Sequence, residues 1–84
     1  MSMNRNLKAL VEAAEGKNMK GANLEAAILR GANLKDADLE DAYLYGANLK
    51  DANFVGANFR GANFRGAKNL DKAIWPEGYK LVKE

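Results

Sequence analysis

The sequence predicts an all-β solenoid, in which the chain winds in coils and turns once in every short repeat. Three observations support this fold class: a large apolar residue recurs every five positions, alanine stands two positions before it, and glycine or aspartate mostly stands two positions after it. Each repeat therefore offers one large and one small apolar residue to an interior. The large residues are Leu24, Leu29, Leu34, Leu39, Leu44, Leu49, Phe54, Phe59 and Phe64, and Met19 extends the series backwards.

A period of five residues is incompatible with a straight helix or a flat strand. On a helix, five residues rotate an apolar side chain by about 140°, so the apolar residues would spiral around the axis. On a strand, an odd period moves the apolar residue to the opposite face at each repeat. The chain must therefore turn in every repeat, and a type II turn needs the positive φ that glycine adopts without steric cost. The turn position holds Gly21, Gly31, Gly46, Gly56, Gly61 and Gly66, with Asp36, Asp41 and Asp51 elsewhere, whereas a different turn is expected at Ala26.

The tandem motif A-N-(L/F)-x-G resembles the pentapeptide-repeat family. The motif covers residues 22–66 without interruption and, less regularly, residues 17–69. The resemblance implies a right-handed quadrilateral β-helix with four pentapeptide repeats per coil, so this chain would form two to three coils. Residues separated by four repeats would then stack on one another. The core columns would be Leu24–Leu44–Phe64, Leu29–Leu49, Leu34–Phe54 and Met19–Leu39–Phe59.

A solenoid has two open ends, and the sequence assigns a covering segment to each. Residues 1–16 predict a short N-terminal capping α-helix with Asn6 as its N-cap and Gly16 as its stop, ahead of the repeats at 17–69. Residues 70–84 predict a C-terminal capping tail of extended or partly helical form. The apolar stripe of the helix would be Leu7, Leu10, Val11 and Ala14, and that of the tail Leu70, Ile74, Trp75, Tyr79, Leu81 and Val82.

Composition excludes most catalytic chemistry. The 84-residue chain has no cysteine and no histidine, and its only hydroxyl side chain besides tyrosine is Ser2, so nucleophilic triads and thiol chemistry are excluded. No metal-ligand spacing occurs, and we expect no cofactor and no enzyme activity. The longest apolar runs have four residues, too short for a signal peptide or a membrane span, so the cytoplasm is the expected location and no membrane contact is expected.

Several apolar or aromatic residues fall at outward positions of the repeats and are candidates for an interaction surface. Ile28, Tyr43, Tyr45 and Val55 are the main set, and tyrosine is enriched where proteins meet partners. Singly exposed apolar residues are also normal, which is the alternative interpretation. Trp75 and Tyr79 would either anchor a partner or cover the open coil. The partner would be an unknown protein, or a second copy in a homodimer.

The C-terminal half is more basic than the rest, through Arg60, Arg65, Lys68 and Lys72. These residues would form a patch for an anion or a nucleic acid. The alternative is a solvated face, because Asp36, Asp41 and Asp51 dilute the positive charge. The asparagines are expected to bond to neighbouring backbone, as turn-adjacent asparagines ordinarily do.

These observations favour a non-catalytic structural or protein-interaction module whose specific role the sequence does not reveal. The family resemblance raises an alternative, since some pentapeptide-repeat proteins are thought to mimic DNA and bind DNA gyrase. This sequence departs from that role because its net charge is +2, whereas duplex DNA carries one negative charge per about 1.7 Å. A weak nucleic-acid or anion binder acting through the basic half is a further alternative, but nucleic acid is not the expected partner.

Overall fold

The structure is a computed structural model that describes residues 5–14 and 17–79. From Asn18 onwards the chain winds as a β-helix, in which parallel bridges join residues twenty apart on four sides. Each side has one bridged residue per coil instead of a continuous strand, because the turn occupies most of each five-residue repeat. We name the sides by their bridged residues: side 1 carries Asn18, Asp38 and Asn58; side 2 Asn23, Tyr43 and Asn63; side 3 Ile28, Asn48 and Lys68; side 4 Asn33, Asn53 and Ile74.

The same turn closes every repeat, including the one at Ala26. There φ is 56°, and the N–H of Ala27 donates to the carbonyl of Leu24 at 3.1 Å, as in the glycine turns. The expectation of a different turn at Ala26 is therefore wrong. Left-handed backbone costs alanine about 1–2 kcal/mol. A different turn would instead break the ladder bond from the Ala26 N–H to the Tyr45 carbonyl, which is 2.7 Å long.

The core consists of the predicted columns. Leu39 is 0% exposed, and the small residue Ala37 beside it is 1% exposed. Phe59 and Phe64 are only partly buried, because they lie in the last coil and no complete coil follows them. The other fully buried large residues are Leu29, Leu34, Leu44, Leu49 and Phe54.

The N-terminal segment contains one short helix, α1 (Lys8–Ala13). Its N-cap residue is Leu7, without a side-chain cap, although the Asn6 side chain accepts a bond from the Lys8 N–H at 3.3 Å. Val11 reaches the core, but Leu10 is 66% exposed, so the predicted apolar stripe is wrong at Leu10. The reason is geometric, since Leu10 lies about 100° around the helix from Val11. The predicted stop at Gly16 lies outside the described residues.

The tail re-enters the coil after one extra residue. A 3₁₀ helix, Leu70–Lys72, follows side 3, and Ile74 then bridges to Asn53, twenty-one residues back. This shift places Trp75 over Phe54, with ring centroids 4.7 Å apart and planes at 7°. The Trp75 Nε1–H donates to the Leu70 carbonyl at 2.8 Å. Leu81 and Val82 lie outside the described residues.

Candidate functional site

The residue before each large core residue stabilises the turn that follows. The Asn23 side-chain oxygen accepts a hydrogen bond from the backbone N–H of Glu25 at 3.0 Å, and the same bond recurs in most repeats. The asparagines are therefore structural, as expected from the sequence. The residues that make this bond are Asn18, Asn23, Asn33, Asp38, Asn48, Asn53, Asn58 and Asn63.

Four positions lack this bond, and in three of them an exposed apolar residue stands in place of the asparagine. Ile28 is 45% exposed and Tyr43 is 55% exposed. Neither side chain can accept a hydrogen bond from the turn in this way, and such a bond is worth about 0.5–1.5 kcal/mol. Departures from a local rule that brings stability are expected at functional positions. Ile74, 51% exposed, is the third apolar departure, and Lys68 is the fourth departure.

Three of the predicted surface residues come together around one corner of the β-helix. Tyr43 lies at the centre of side 2, and Ile28 lies on the adjacent side 3. Tyr45, 49% exposed, lies at the corner between these sides. We call Ile28, Tyr43 and Tyr45 the tyrosine surface.

The ladder holds the backbone of this surface in place. The Tyr43 carbonyl accepts from the Leu24 N–H at 2.8 Å, and the Tyr45 carbonyl accepts from the Ala26 N–H at 2.7 Å. Towards the same neighbouring coil, the Tyr43 N–H donates to the Ala22 carbonyl at 2.9 Å. Both tyrosines therefore project from a backbone that is bonded to the neighbouring coil.

The other predicted surface residues lie elsewhere. Val55 is at the corner between sides 4 and 1, diagonally opposite Tyr45. Trp75 covers the core, and Tyr79 packs its ring 4.8 Å from that of Phe59 while remaining 43% exposed. Ile74, 51% exposed on side 4, was predicted only as part of the tail. The five-residue period could not place it, because the extra residue after Lys68 shifts the register.

Three of the predicted basic residues follow one another along the last coil, and the fourth lies one corner away. Arg65 is at the corner between sides 2 and 3, Lys68 is on side 3, and Lys72 is at the corner between sides 3 and 4. Arg60 lies one corner before Arg65, in line with Lys20 and Glu40. In that line, the Lys20 Nζ and the Glu40 Oε1 form an ion pair of 3.4 Å.

Sequence reasoning missed a set of charged residues at the N-terminal edge of the first coil. The Arg5 guanidinium donates to the Glu25 carbonyl at 2.8 and 3.1 Å. On side 4, the Glu12 Oε2 accepts the Asn33 N–H at 2.7 Å, and the Lys17 Nζ donates to the Asn33 carbonyl at 3.2 Å. These backbone groups point away from the second coil. Together with the Arg5 carbonyl, which accepts the Ile28 N–H at 2.7 Å, these side chains satisfy the edge where a preceding coil would otherwise bond.

The bond to Asn33 also affects the ionisation of Glu12. The pKa of Glu12 is lowered, chiefly because its carboxylate accepts the Asn33 N–H and next because it accepts a bond from Lys8. The Lys8 Nζ lies 3.0 Å from the Glu12 Oε1. Glu12 therefore carries its charge where the edge needs an acceptor.

The described residues show a pocket but no catalytic cluster. An apolar pocket of about 360 Å³ lies between α1 and the first coil and is lined mostly by apolar side chains such as Val11, Met19 and Leu24. Its polar lining includes Arg5, whose guanidinium already bonds to backbone. Within residues 5–14 and 17–79, no three acidic or histidine side chains are grouped as a metal site would require. No helix in the same part of the chain is long and apolar enough to span a bilayer.

Comparison with known proteins identifies relatives of this architecture. The family model described as pentapeptide repeats matches residues 18–54 and 37–74, with eight copies. HetL from the cyanobacterium Nostoc sp. strain PCC 7120, a pentapeptide repeat protein involved in heterocyst differentiation regulation, is 36% identical with a TM-score of 0.69. The match covers 76% of this chain and 30% of HetL.

A second solved structure also matches, at a lower structural similarity. Rfr23, a pentapeptide repeat protein from the cyanobacterium Cyanothece 51142, is 36% identical with a TM-score of 0.34, over 69% of this chain and 43% of that one. No curated protein matches the chain by sequence. The family match and the similarity to HetL imply a right-handed β-helix, as the sequence motif did.

Proposed function

This chain belongs to the pentapeptide-repeat family, and we propose that it is a non-catalytic module that binds a protein partner through the tyrosine surface. One observation carries the proposal: Ile28 and Tyr43 occupy positions where most repeats have a turn-stabilising asparagine, and both are exposed. Fold stability favours asparagine there. A contact with another molecule explains why apolar residues stand in its place.

The chemistry of the tyrosine surface suits a protein contact. Tyrosine offers a large apolar ring and a hydroxyl group, and it loses little side-chain entropy on binding. Tyr43 and Tyr45 are about half exposed, so both have ring surface that a partner can bury. Because the ladder fixes their backbone, little order has to be gained on association. An aromatic pair beside an aliphatic residue is typical of the centre of a protein interface.

Other observations weigh against the alternative functions. The described residues hold no group of three or more acidic or histidine side chains, which disfavours catalysis. Mimicry of DNA is disfavoured by the net charge of +2. HetL is described as involved in the regulation of a differentiation process, a role that fits protein contacts. Since the match spans only 30% of HetL, nothing more specific is carried over.

The variant Tyr43→Asn tests this function without endangering the fold. Asparagine would restore the turn bond, so the variant should unfold at a higher temperature than the wild type, by a few degrees. The same variant, combined with Tyr45→Ser, should no longer retain the partner in affinity capture from a cell extract. Val55→Ser removes a similar exposed apolar residue at the opposite corner and serves as the control.

Two results would count against the proposal. One is a Tyr43→Asn, Tyr45→Ser variant that folds and retains the same proteins as the wild type. The other is an equal loss of captured proteins in Val55→Ser, which would make the tyrosines unexceptional. Light scattering on the same three proteins tests the homodimer alternative, because a self-association through the tyrosine surface would give a dimer only for the wild type and Val55→Ser.

A further inference from the structure

We propose that the partner is an acidic protein segment that lies along side 3, with its apolar residues on Ile28 and Tyr45 and its carboxylates on the basic residues around them. This inference rests on the proposed function, because it names the partner chemistry for the same surface.

The basic residues concentrate on one part of the molecule. Arg65 lies at the corner shared with Tyr45, and Lys68 occupies the asparagine position on side 3 itself. At the next corner, the carbonyls of Lys50 and Lys72 occupy the same turn in successive coils, since they accept from Gly31 at 2.8 Å and from Asp51 at 2.9 Å. Cations therefore lie at both corners of side 3, whereas Glu25 lies at the Tyr45 corner in the first coil.

These cations lack partners of opposite charge within the described chain. The ion pairs there join Lys8 to Glu12 and Lys20 to Glu40, and neither involves the basic residues of side 3 or its corners. Arg30, Lys50 and Lys72 instead follow one another along the corner in successive coils, where like charges repel. Carboxylates from a partner would reduce this repulsion.

An acidic protein segment fits this surface better than a nucleic acid. Asp51 and Asp71 interrupt the cations at the corner between sides 3 and 4, which disfavours a continuous phosphate backbone. Ile28 lies on side 3 between Glu25 and Arg30, and it offers aliphatic surface that phosphates cannot use. A protein segment can place an apolar side chain there and carboxylates near Arg30, Arg65 and Lys68, so that charge complementarity supports the apolar contact.

The test uses the whole chain and two labelled peptides, one with glutamates flanking a central leucine and phenylalanine, the other with glutamines in their place. In fluorescence anisotropy, the glutamate peptide should bind and should weaken as salt is added, because exposed charges are screened. The double variant Arg65→Gln, Lys68→Gln should reduce its affinity about tenfold, since two exposed charge contacts are lost. The matched control Arg60→Gln, Lys35→Gln removes the same charges from other corners and should change little.

Each other outcome separates this inference from the proposed function. Equal binding of both peptides, lost in Tyr43→Asn, Tyr45→Ser, would overturn the acidic preference and leave the tyrosine surface as the contact. If Arg65→Gln, Lys68→Gln and Arg60→Gln, Lys35→Gln reduced the affinity for the glutamate peptide equally, the assignment to side 3 would be overturned. A glutamate peptide that does not bind the wild type would overturn it as well. A short DNA duplex that binds this surface more tightly than the glutamate peptide, and displaces it, would show that the partner is a nucleic acid. Sedimentation of the free chain shows whether a second copy binds this surface, and such a dimer would also overturn the acidic-segment proposal.

Discussion

The carboxylate of Glu12 accepts the backbone N–H of Asn33 at 2.7 Å, in the position where a preceding coil would supply a carbonyl. Asn53, one coil further on, donates its N–H to the carbonyl of Ala32 at 2.9 Å in the regular way. A side chain of α1 therefore performs a backbone role at the end of the ladder. An exposed strand edge is a template for pairing with other chains, so this contact affects association as well as stability.

The contact between Glu12 and Asn33 should depend on pH. The pKa of Glu12 is lowered in the folded chain, so the stabilisation is present above the unfolded-state pKa, near the ordinary value of 4.5, and is lost as pH falls through the lower folded-state pKa. Thermal unfolding of the wild type and Glu12→Gln, followed from neutral to acidic pH, checks this. The difference in melting temperature should be largest near neutrality and should shrink below about pH 4. A difference that is the same at every pH would contradict the role of the charge.

Deletion of residues 1–16 should cause aggregation. The deletion removes Val11 from the core and also removes Arg5 and Glu12. The N-terminal edge of the first coil would therefore lose side-chain hydrogen-bond partners. Light scattering behind a sizing column would then show large species for the truncated chain and one defined species for the full chain. A truncated chain that is soluble, monomeric and cooperative in melting would refute the capping role.

Leu39→Ala should lower the free energy of unfolding by about 2–5 kcal/mol, because Leu39 is fully buried in the middle of its column. Leu10→Ala makes the same chemical change at a position that is 66% exposed, and should alter stability by less than about 0.5 kcal/mol. Urea unfolding of both variants checks the pair. Similar losses in the two variants would mean that Leu10 is buried in solution, contrary to the structure.

Ala26→Gly should stabilise the chain by about 0.5–1 kcal/mol. Ala26 has a φ of 56°, in the left-handed region that glycine adopts freely, and relief of this strain outweighs the greater entropy that glycine gives the unfolded chain. For a domain of this size the melting temperature should rise by a few degrees. Gly46→Ala is the reverse control, since an added Cβ there would meet no atom within 4 Å and only the backbone strain would act. Destabilisation by Ala26→Gly would show that the alanine side chain makes a contact that outweighs its strain.

The repeats could be predicted from the sequence because each one repeats the same local rule. The five-residue period placed Leu39 in the core and assigned the asparagines to the turns, and both predictions are confirmed. The period also identified Tyr43 as outward, but it could not show that Tyr43, Tyr45 and Ile28 share a corner without the four-sided coil that the family resemblance implied.

The ends could not be predicted to the same degree, because no repeat governs them. The roles of Arg5, Glu12 and Lys17 depend on where the N-terminal segment lands on the first coil, and nothing in their spacing signals a bond to Glu25 or Asn33. Helical spacing alone predicted Leu10 in the interior and was wrong. At the other end, a single extra residue after Lys68 moved Ile74 onto side 4 and Trp75 onto Phe54.

The stacking of Trp75 on Phe54 places the only indole of the chain in its last layer. In a solenoid each coil contacts only its neighbours, so the layers need not separate together when the temperature rises. Intrinsic fluorescence will therefore follow the release of the C-terminal layer, whereas circular dichroism will follow the ladder as a whole. The molecule carries a built-in optical probe of whether its last coil frays before the rest.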